Sequence, residues 1–385
     1  MKILHVVVTC DAATGGGLAE RTRHLSKALV GRGAECTVLT LDIGMDAQRR
    51  REWSHCRLMV LPCLNRRFYV PLTWPGQIAA AVAAADVVDI TSHWTLLNAL
   101  VYRAARRSGA TYLVHPAGAL GIVGRSARIK RAYNVVVGRE IIRHAGGHIA
   151  ITKGEVPQYE AYGISQDRIT FIPNGVDAPD TTAVNQEAFL ARHGLEGRRV
   201  ILFVGRLGVI KGPDLLLEAF ASVSAAMPDH ALVFAGPDLG LLDSLKRAAV
   251  DRGVANRVRF VGYLDGADKE SAYAACDFLA LPSRREAMSL VALEAGVRGK
   301  PVLLTDQCGF DEVESCGGGH VVGANVAAIG AGLRAMVARQ QQLPAMGQAL
   351  QSLVQNRFTW PAAADTFLEL CGKAARQASD RSTRQ

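Results

Sequence analysis

The chain has 385 residues, of which 49% are hydrophobic and 21% charged, with a formal net charge of +9. That length suits two domains, each able to bury a core, and the balance excludes an intrinsically disordered chain. No apolar run reaches the ~18 residues of a membrane span, Met1–Thr9 is too brief for a signal-peptide core, and the eight cysteines lack CxxC or Cys/His ligand spacing.

A reduced, cytoplasmic protein without a zinc site is therefore expected. The charge is uneven. Residues 1–170 hold 22 Lys and Arg against 12 Asp and Glu, whereas residues 171–385 hold 22 against 23. The excess in the first half implies an anionic partner there, nucleic acid or an anionic membrane surface, with a solvated basic face as the plain alternative.

Lys2–Thr9 is a β-branched run that fits a buried parallel strand. Asp11-Ala-Ala-Thr-Gly15-Gly16-Gly17 follows, then a helical stripe of Leu18, Thr22, Leu25 and Leu29, and a second strand over Glu35–Leu41. This is a βαβ opening, with glycines that let a ligand approach the backbone at a helix start. The GxGxxG dinucleotide fingerprint is absent. Arg49–Arg51 and Arg66-Arg67 read as loop charges.

Asp86–Thr91 and Ala110–Val114 are further strands, ending in His93-Trp94 and in His115-Pro116-Ala117-Gly118. Strand ends of doubly wound sheets collect active-site groups; a packed histidine is the bland reading of each. Gly121–Arg143 mixes Arg125, Arg128, Lys130, Arg131, Arg139 and Arg143 with apolar residues. It reads as a basic amphipathic helix on an anionic membrane, or as helices that pack inward and show arginines to water. Nucleic acid fits less well, because aromatics are not interleaved with the basic residues. Gly147–Thr152 and Arg168–Ile172 complete the first half, and the boundary falls after Pro173-Asn174-Gly175-Val176-Asp177.

In the second half Arg199–Val204 is a buried strand running into Gly205-Arg206 and Lys211-Gly212-Pro213, then a helix from Asp214 to Val223 with Leu215, Leu216 and Ala219 inward. The P-loop pattern is not met, but an arginine and a lysine at a strand-to-helix turn could hold a diphosphate. Strands over Ala231–Ala235, Val258–Val261 and Phe278–Leu281 follow. Leu281–Thr305 then reads as strand end, polar turn, helix and strand, with Met288, Val291 and Ala295 on one helical stripe. Glu286 and Glu294 bracket that helix; with Glu286 just before it and Glu294 in its second or third turn they would stand about 80° apart and could face one ligand. The N–H groups of Ser289, Leu290 and Val291 at its start would welcome a phosphate. Two solvated glutamates on a surface helix are the alternative.

These motifs together resemble the retaining glycosyltransferases of family 4, over nearly the full chain. They are the Gly15–Gly17 loop, Asn174–Asp177, Gly205-Arg206-Leu207 with Lys211-Gly212, Leu281-Pro282-Ser283, and Glu286-x7-Glu294 followed by Gly299-x-Pro301-Val302. Pro116-x-Gly118-x-Leu120, Lys130–Tyr133 and Cys308-Gly309-Phe310 with Glu312 resemble bacterial enzymes of exopolysaccharide or O-antigen assembly.

The resemblance implies an α/β GT-B fold, two doubly wound Rossmann-like domains facing a cleft. The expected bounds are 1–177 for acceptor binding, 178–197 as linker, 198–355 for donor binding, a C-terminal helix over 356–372 packing back on the first domain, and a frayed tail over 373–385. It implies transfer of a hexose from a UDP- or GDP-linked sugar to a polyprenyl-diphosphate-linked glycan, without metal or other cofactor. Arg206 and Lys211 would bind the diphosphate and stabilise the leaving group. Glu286 would contact the donor sugar and Glu294 the ribose. Gly16, Gly17, Gly205, Leu290 and Val291 would line the phosphates, and Tyr263 and Leu264 the base.

On the acceptor side the candidates are His93, His115 and Arg125. Ala117 occupies the position where many relatives carry histidine, so His115 is not its direct equivalent. The implied location is the inner face of the cell membrane. A GT-B nucleotide-sugar 2-epimerase and a non-catalytic nucleotide-binding module are the alternative functions.

Overall fold

A computed structural model of the chain describes residues 1–11, 15–122 and 126–382. Arg125, Val123 and the Ala12–Thr14 part of the first loop lie outside the described residues. The chain forms two compact units, residues 1–175 with the helix from Trp360, and residues 176–359.

The first unit carries β1 (Lys2–Val6), β2 (Glu35–Leu41), β3 (Arg57–Leu61), β4 (Cys63–Asn65), β5 (Val70–Pro71), β6 (Val87–Thr91), β7 (Tyr112–His115), β8 (Gly147–Ala150) and β9 (Ile169–Phe171). Seven of them form one sheet in the order β3-β2-β1-β6-β7-β8-β9, with β4 and β5 as a separate antiparallel hairpin. Every pairing of the large sheet is parallel. Its strands are short apolar runs because both faces are covered. Leu4, Val6, Leu39, Val88, Ile90 and Val114 are buried in one core with Leu97 and Val101 of the helix Leu96–Ser108.

In the second unit β10 (Arg199–Val204), β11 (His230–Ala235), β12 (Val258–Gly262), β13 (Phe278–Leu281), β14 (Val302–Thr305) and β15 (Gly319–Val322) form a parallel sheet ordered β12-β11-β10-β13-β14-β15. Phe203, Phe234 and Phe278 from three of these strands share a core with Leu216, Phe220 and Leu333 of the covering helices. Both units are thus doubly wound α/β layers, and in each the strand order reverses beside the first strand. The crevice at the carboxyl ends beside that reversal is where such sheets bind ligands.

Four expectations need correction. Residues 186–192, placed in the linker, form a helix capped by Asn185, whose side chain accepts from Ala188 N at 2.8 Å; Phe189 is buried, and the segment belongs to the second unit. The helix Trp360–Ser382 runs on where a frayed tail was placed from residue 373, helped by alanine, lysine and arginine, all good helix formers. The helix Pro213–Val223 buries Leu217 and Phe220 beside Leu216 and Ala219, while Leu215 is only half-buried. Met288 precedes its helix, which spans Leu290–Val297 with Ser289 as N-cap. Glu286 thus sits just before the helix and Glu294 in its second turn.

Candidate active site

In the second unit, the loops that leave β10 and β13 meet at the strand-order reversal. Gly212 takes a left-handed conformation at φ +69°, and a Cβ there would lie 2.2 Å from the Pro282 carbonyl oxygen. Only glycine lets the two loops come this close. The contact is reinforced by Arg284, whose N–H donates to Ile210 O at 2.8 Å. Its guanidinium makes two bonds to Asp214, at 2.8 and 2.6 Å, and one to Val209 O at 2.7 Å. A planar fork on a carboxylate fixes orientation as well as distance.

This clamp brings Lys211 to Glu286, Nζ to Oε2 at 2.8 Å, with both side chains largely shielded from solvent. Ser283 Oγ donates to the other Glu286 oxygen. Thr305 Oγ1, from the end of β14, donates to Ser283 O at 2.5 Å, and Glu286 N donates to Gln307 O at 2.8 Å. Glu286 is thereby oriented by three loops at the carboxyl edge of the sheet. Burial pushes the neighbouring Cys308 thiol up to about 11, and the Glu286 charge adds to the shift. Cys308 is thus a neutral packing group here.

Behind this turn, Ser289 caps the helix Leu290–Val297, accepting from Ala292 N at 3.4 Å. The Leu290 and Val291 N–H groups find no acceptor among the described residues. They are the donors a helix start leaves for an anion. Glu294 lies in the same helix with Lys269 Nζ on one oxygen and the Tyr273 hydroxyl on the other, each at 2.8 Å. Gly205 and half-buried Arg206 leave the end of β10, while Tyr263, 70% exposed, leaves β12 with Leu264 half-buried beside it. An exposed ring at a strand end is a stacking surface. Among the described residues no three His, Cys, Asp or Glu side chains gather to hold a metal ion.

The first unit places Gly16 and Gly17 at the opening of the helix Gly17–Gly31, beyond β1 and beside the β1/β6 reversal, with Gly16 at φ 57°. His93 follows β6 and is buried in a cage of Trp94, Tyr133 and Tyr162, with Nε2 3.2 Å from Asn134 Oδ1 and Nδ1 without a partner among the described residues. Burial pushes it down to about 4. His115, another acceptor-side candidate, ends β7. It is buried, its Nε2 accepts from Arg21 Nε at 3.0 Å, and burial with the Arg21 charge pushes it down to about 3.

Sequence rules place arginine outside, so Arg21 was missed. It is buried and donates to Ile172 O, Pro173 O and Asn174 Oδ1 as well, pinning the Asn174-Gly175 turn. Buried Glu155, also missed, accepts from Gly118 N at 2.7 Å and Ile151 N at 2.8 Å. The Asp214–Arg284 clamp had a partial signal, an acidic residue in a first helical turn, but nothing that named its partner.

Comparison with known proteins places the chain in a family. Residues 185–352 match the model for glycosyl transferases group 1, and residues 16–175 match the glycosyl transferase 4-like domain. The D-inositol 3-phosphate glycosyltransferase of Salinispora tropica is 30% identical over 78% of this chain and 69% of its own length. That of Nocardia farcinica is 32% identical over 67% of this chain, which spans 60% of that relative's length. HepE of Anabaena in complex with UDP and glucose superposes with a TM-score of 0.76 at 19% identity, over 96% of this chain and 98% of that one. Its likeness shows the GT-B fold. The chain belongs to the group 1 glycosyltransferases with a glycosyltransferase 4-like N-terminal domain, and it is a transferase of GT-B architecture.

Proposed function

We propose that the protein transfers a hexose, with retention of anomeric configuration, from a UDP- or GDP-linked sugar to a phosphate-bearing acceptor, a polyprenyl-diphosphate-linked glycan of a surface polysaccharide such as O-antigen or exopolysaccharide. The observation that carries this reading is the Lys211–Glu286 pair, held at the strand-order reversal beside the open N–H groups of Leu290 and Val291. A diphosphate entering there takes Lys211 and the two N–H donors as partners, and Arg206 joins them. Glu286, relieved of Lys211, turns its oxygen to the sugar hydroxyls.

Charge that builds on the leaving diphosphate meets donors already in place, the electrostatic contribution that dominates transfer chemistry. Glu294 receives the ribose hydroxyls and Tyr263 the base. No metal is assigned a role. The enzyme works at the inner face of the membrane, with the basic first unit toward the anionic lipid.

A second acceptor reading, an inositol phosphate, is favoured by the relatives, which are D-inositol 3-phosphate glycosyltransferases. Turnover with UDP- and GDP-hexoses tests the proposal, with a short polyprenyl-diphosphate glycan and inositol phosphate as separate acceptors. A glycosylated lipid product supports the first reading, and a glycosylated inositol phosphate the second. An isomeric nucleotide sugar formed without acceptor makes the protein a 2-epimerase instead.

A further inference from the structure

Among the described residues of the first unit, bulky apolar side chains are exposed in clusters at two places. The β4–β5 hairpin stands apart from the seven-stranded sheet, and around it Leu64 (70% exposed), Phe68 (52%), Leu72 (58%) and Trp74 (78%) face solvent. Asn65 Oδ1 accepts from the N–H groups of Arg67 and Phe68, at 3.0 and 3.2 Å, so the tip that carries Arg66, Arg67 and Phe68 is an ordered turn. The Arg67 guanidinium lies 5.5 Å from the centre of the Phe68 ring.

The second place is the helical segment formed by Ala127–Tyr133, a π-turn over Asn134–Gly138 and Arg139–Arg143. Its exposed stripe reads Arg128, Arg131, Ala132, Val135, Val136, Arg139, Glu140 and Arg143, with Val135 and Val136 at 84% and 79% exposure. Both places flank one helix. Strand β5 packs on Leu96–Ser108, and the Tyr133 hydroxyl donates at 3.0 Å to the carbonyl of Thr95, the N-cap of that helix.

Charge selects the partner. Residues 53–85 contain no Asp or Glu, and neither do residues 90–139. Arg66, Arg67, Arg128, Arg131 and Arg139 therefore stand among exposed Leu, Val, Phe and Trp with only Asp86 and Asp89 interrupting the long acid-free stretch. Nucleic acid rewards a run of aromatic faces interleaved with cations; here Phe68 and Trp74 are outnumbered by Leu64, Leu72, Val135 and Val136, which give a base nothing to stack on. Aliphatic and tryptophan side chains between arginines suit the boundary between anionic headgroups and acyl chains.

We propose that the β4–β5 hairpin with Trp74 is a second membrane-docking element that acts with the 128–143 helix face to seat the first unit on an anionic bilayer. The inference rests on the membrane part of the functional reading and names the side chains that enter the lipid.

Co-sedimentation of the full chain with phosphatidylcholine vesicles, with and without phosphatidylglycerol, tests it. The wild type is set beside Phe68→Ser/Trp74→Ser and Arg128→Ser/Arg131→Ser, with melting curves as the folding control. The expected result is binding to the anionic vesicles, at least tenfold weaker for each double variant, with unchanged nucleotide binding. A blue shift of tryptophan emission on the anionic vesicles should shrink in Trp74→Leu. If the hairpin variant binds like the wild type, the hairpin proposal is overturned while the helix remains as the membrane contact. If the wild type ignores anionic vesicles, or prefers an RNA homopolymer to them, both this proposal and the membrane location fall; the transferase reading is tested separately by nucleotide titration.

Discussion

At the scale of single residues, Lys211 and Glu286 hold each other, so each keeps the other's charge compensated. Replacing Glu286 by Gln, or Lys211 by Ala, is expected to lower turnover ~100- to 1000-fold, the usual cost of losing a preorganised transition-state contact. Melting temperature should move by only a few degrees, because the pair lies at a loop edge. Steady-state kinetics beside melting curves check this; a variant with full activity would remove the residue from the chemistry.

Three buried histidines give a second prediction. His93 and His148 are pushed down to about 4, and His115 to about 3, chiefly by burial. An unfolded histidine titrates near 6.5, so between that value and the folded values the unfolded chain binds more protons. Their contribution is complete above pH ~6.5 and is lost as pH falls through the folded values. Denaturant midpoints from pH 8 to pH 4 should fall with acid, and His115→Gln should flatten the fall. A pH-independent midpoint would contradict the buried, neutral assignment. Packing was one of two readings the sequence left open for His93 and His115, which look alike at strand ends; Arg21 behind His115 is a contact that only the fold makes.

At the scale of elements, the clamp between the β10 and β13 loops is the feature on which the site geometry depends. Gly212→Ala would force a Cβ against Pro282 O from a left-handed backbone, at an expected cost of about 1–3 kcal/mol, and turnover should fall with it as Lys211 leaves Glu286. Gly31→Ala is the contrast. It lies in the helix Gly17–Gly31, a Cβ there meets nothing, and the change should be neutral or stabilise by up to ~1 kcal/mol. Equal effects from both would show that the clamp plays no special part.

The element order was legible because buried parallel strands are apolar runs, as in Arg199–Val204 and Phe278–Leu281, which coincide with β10 and β13. Strand β15, Gly319-His-Val-Val322, escaped notice: it is four residues long, begins with glycine and follows Cys316-Gly317-Gly318. The helix over 186–192 was hidden by the polar residues around it, although Asn185 carries a capping signal. Of the site, Arg206, Lys211, Glu286 and Glu294 stood out by type and spacing. Of their holders, Ser283 entered only as part of the Leu281-Pro282-Ser283 motif and Asp214 only as an acidic residue in a first helical turn; Thr305, Lys269 and Tyr273 did not stand out, because each acts through a contact made by the fold.

At the scale of the whole molecule, the first 170 residues carry the excess of positive charge, and among the described residues no helix is long and apolar enough to cross a membrane. Attachment through exposed arginines is screened by salt. Washing membranes of the producing cell with about 1 M salt should release most of the protein, whereas quantitative recovery in a low-salt supernatant would contradict attachment. The central claim, that the second unit is a nucleotide-sugar site built on Arg206, Lys211 and Glu286, is tested most directly by thermal shift with UDP, GDP, ADP and NAD on the wild type and Arg206→Ala. A ligand at one hundred times its dissociation constant adds about 2.7 kcal/mol of stability. The account predicts that UDP or GDP raises the melting temperature of the wild type and raises that of the variant much less. Stabilisation by NAD alone, or by a nucleoside diphosphate equally in both proteins, would contradict it.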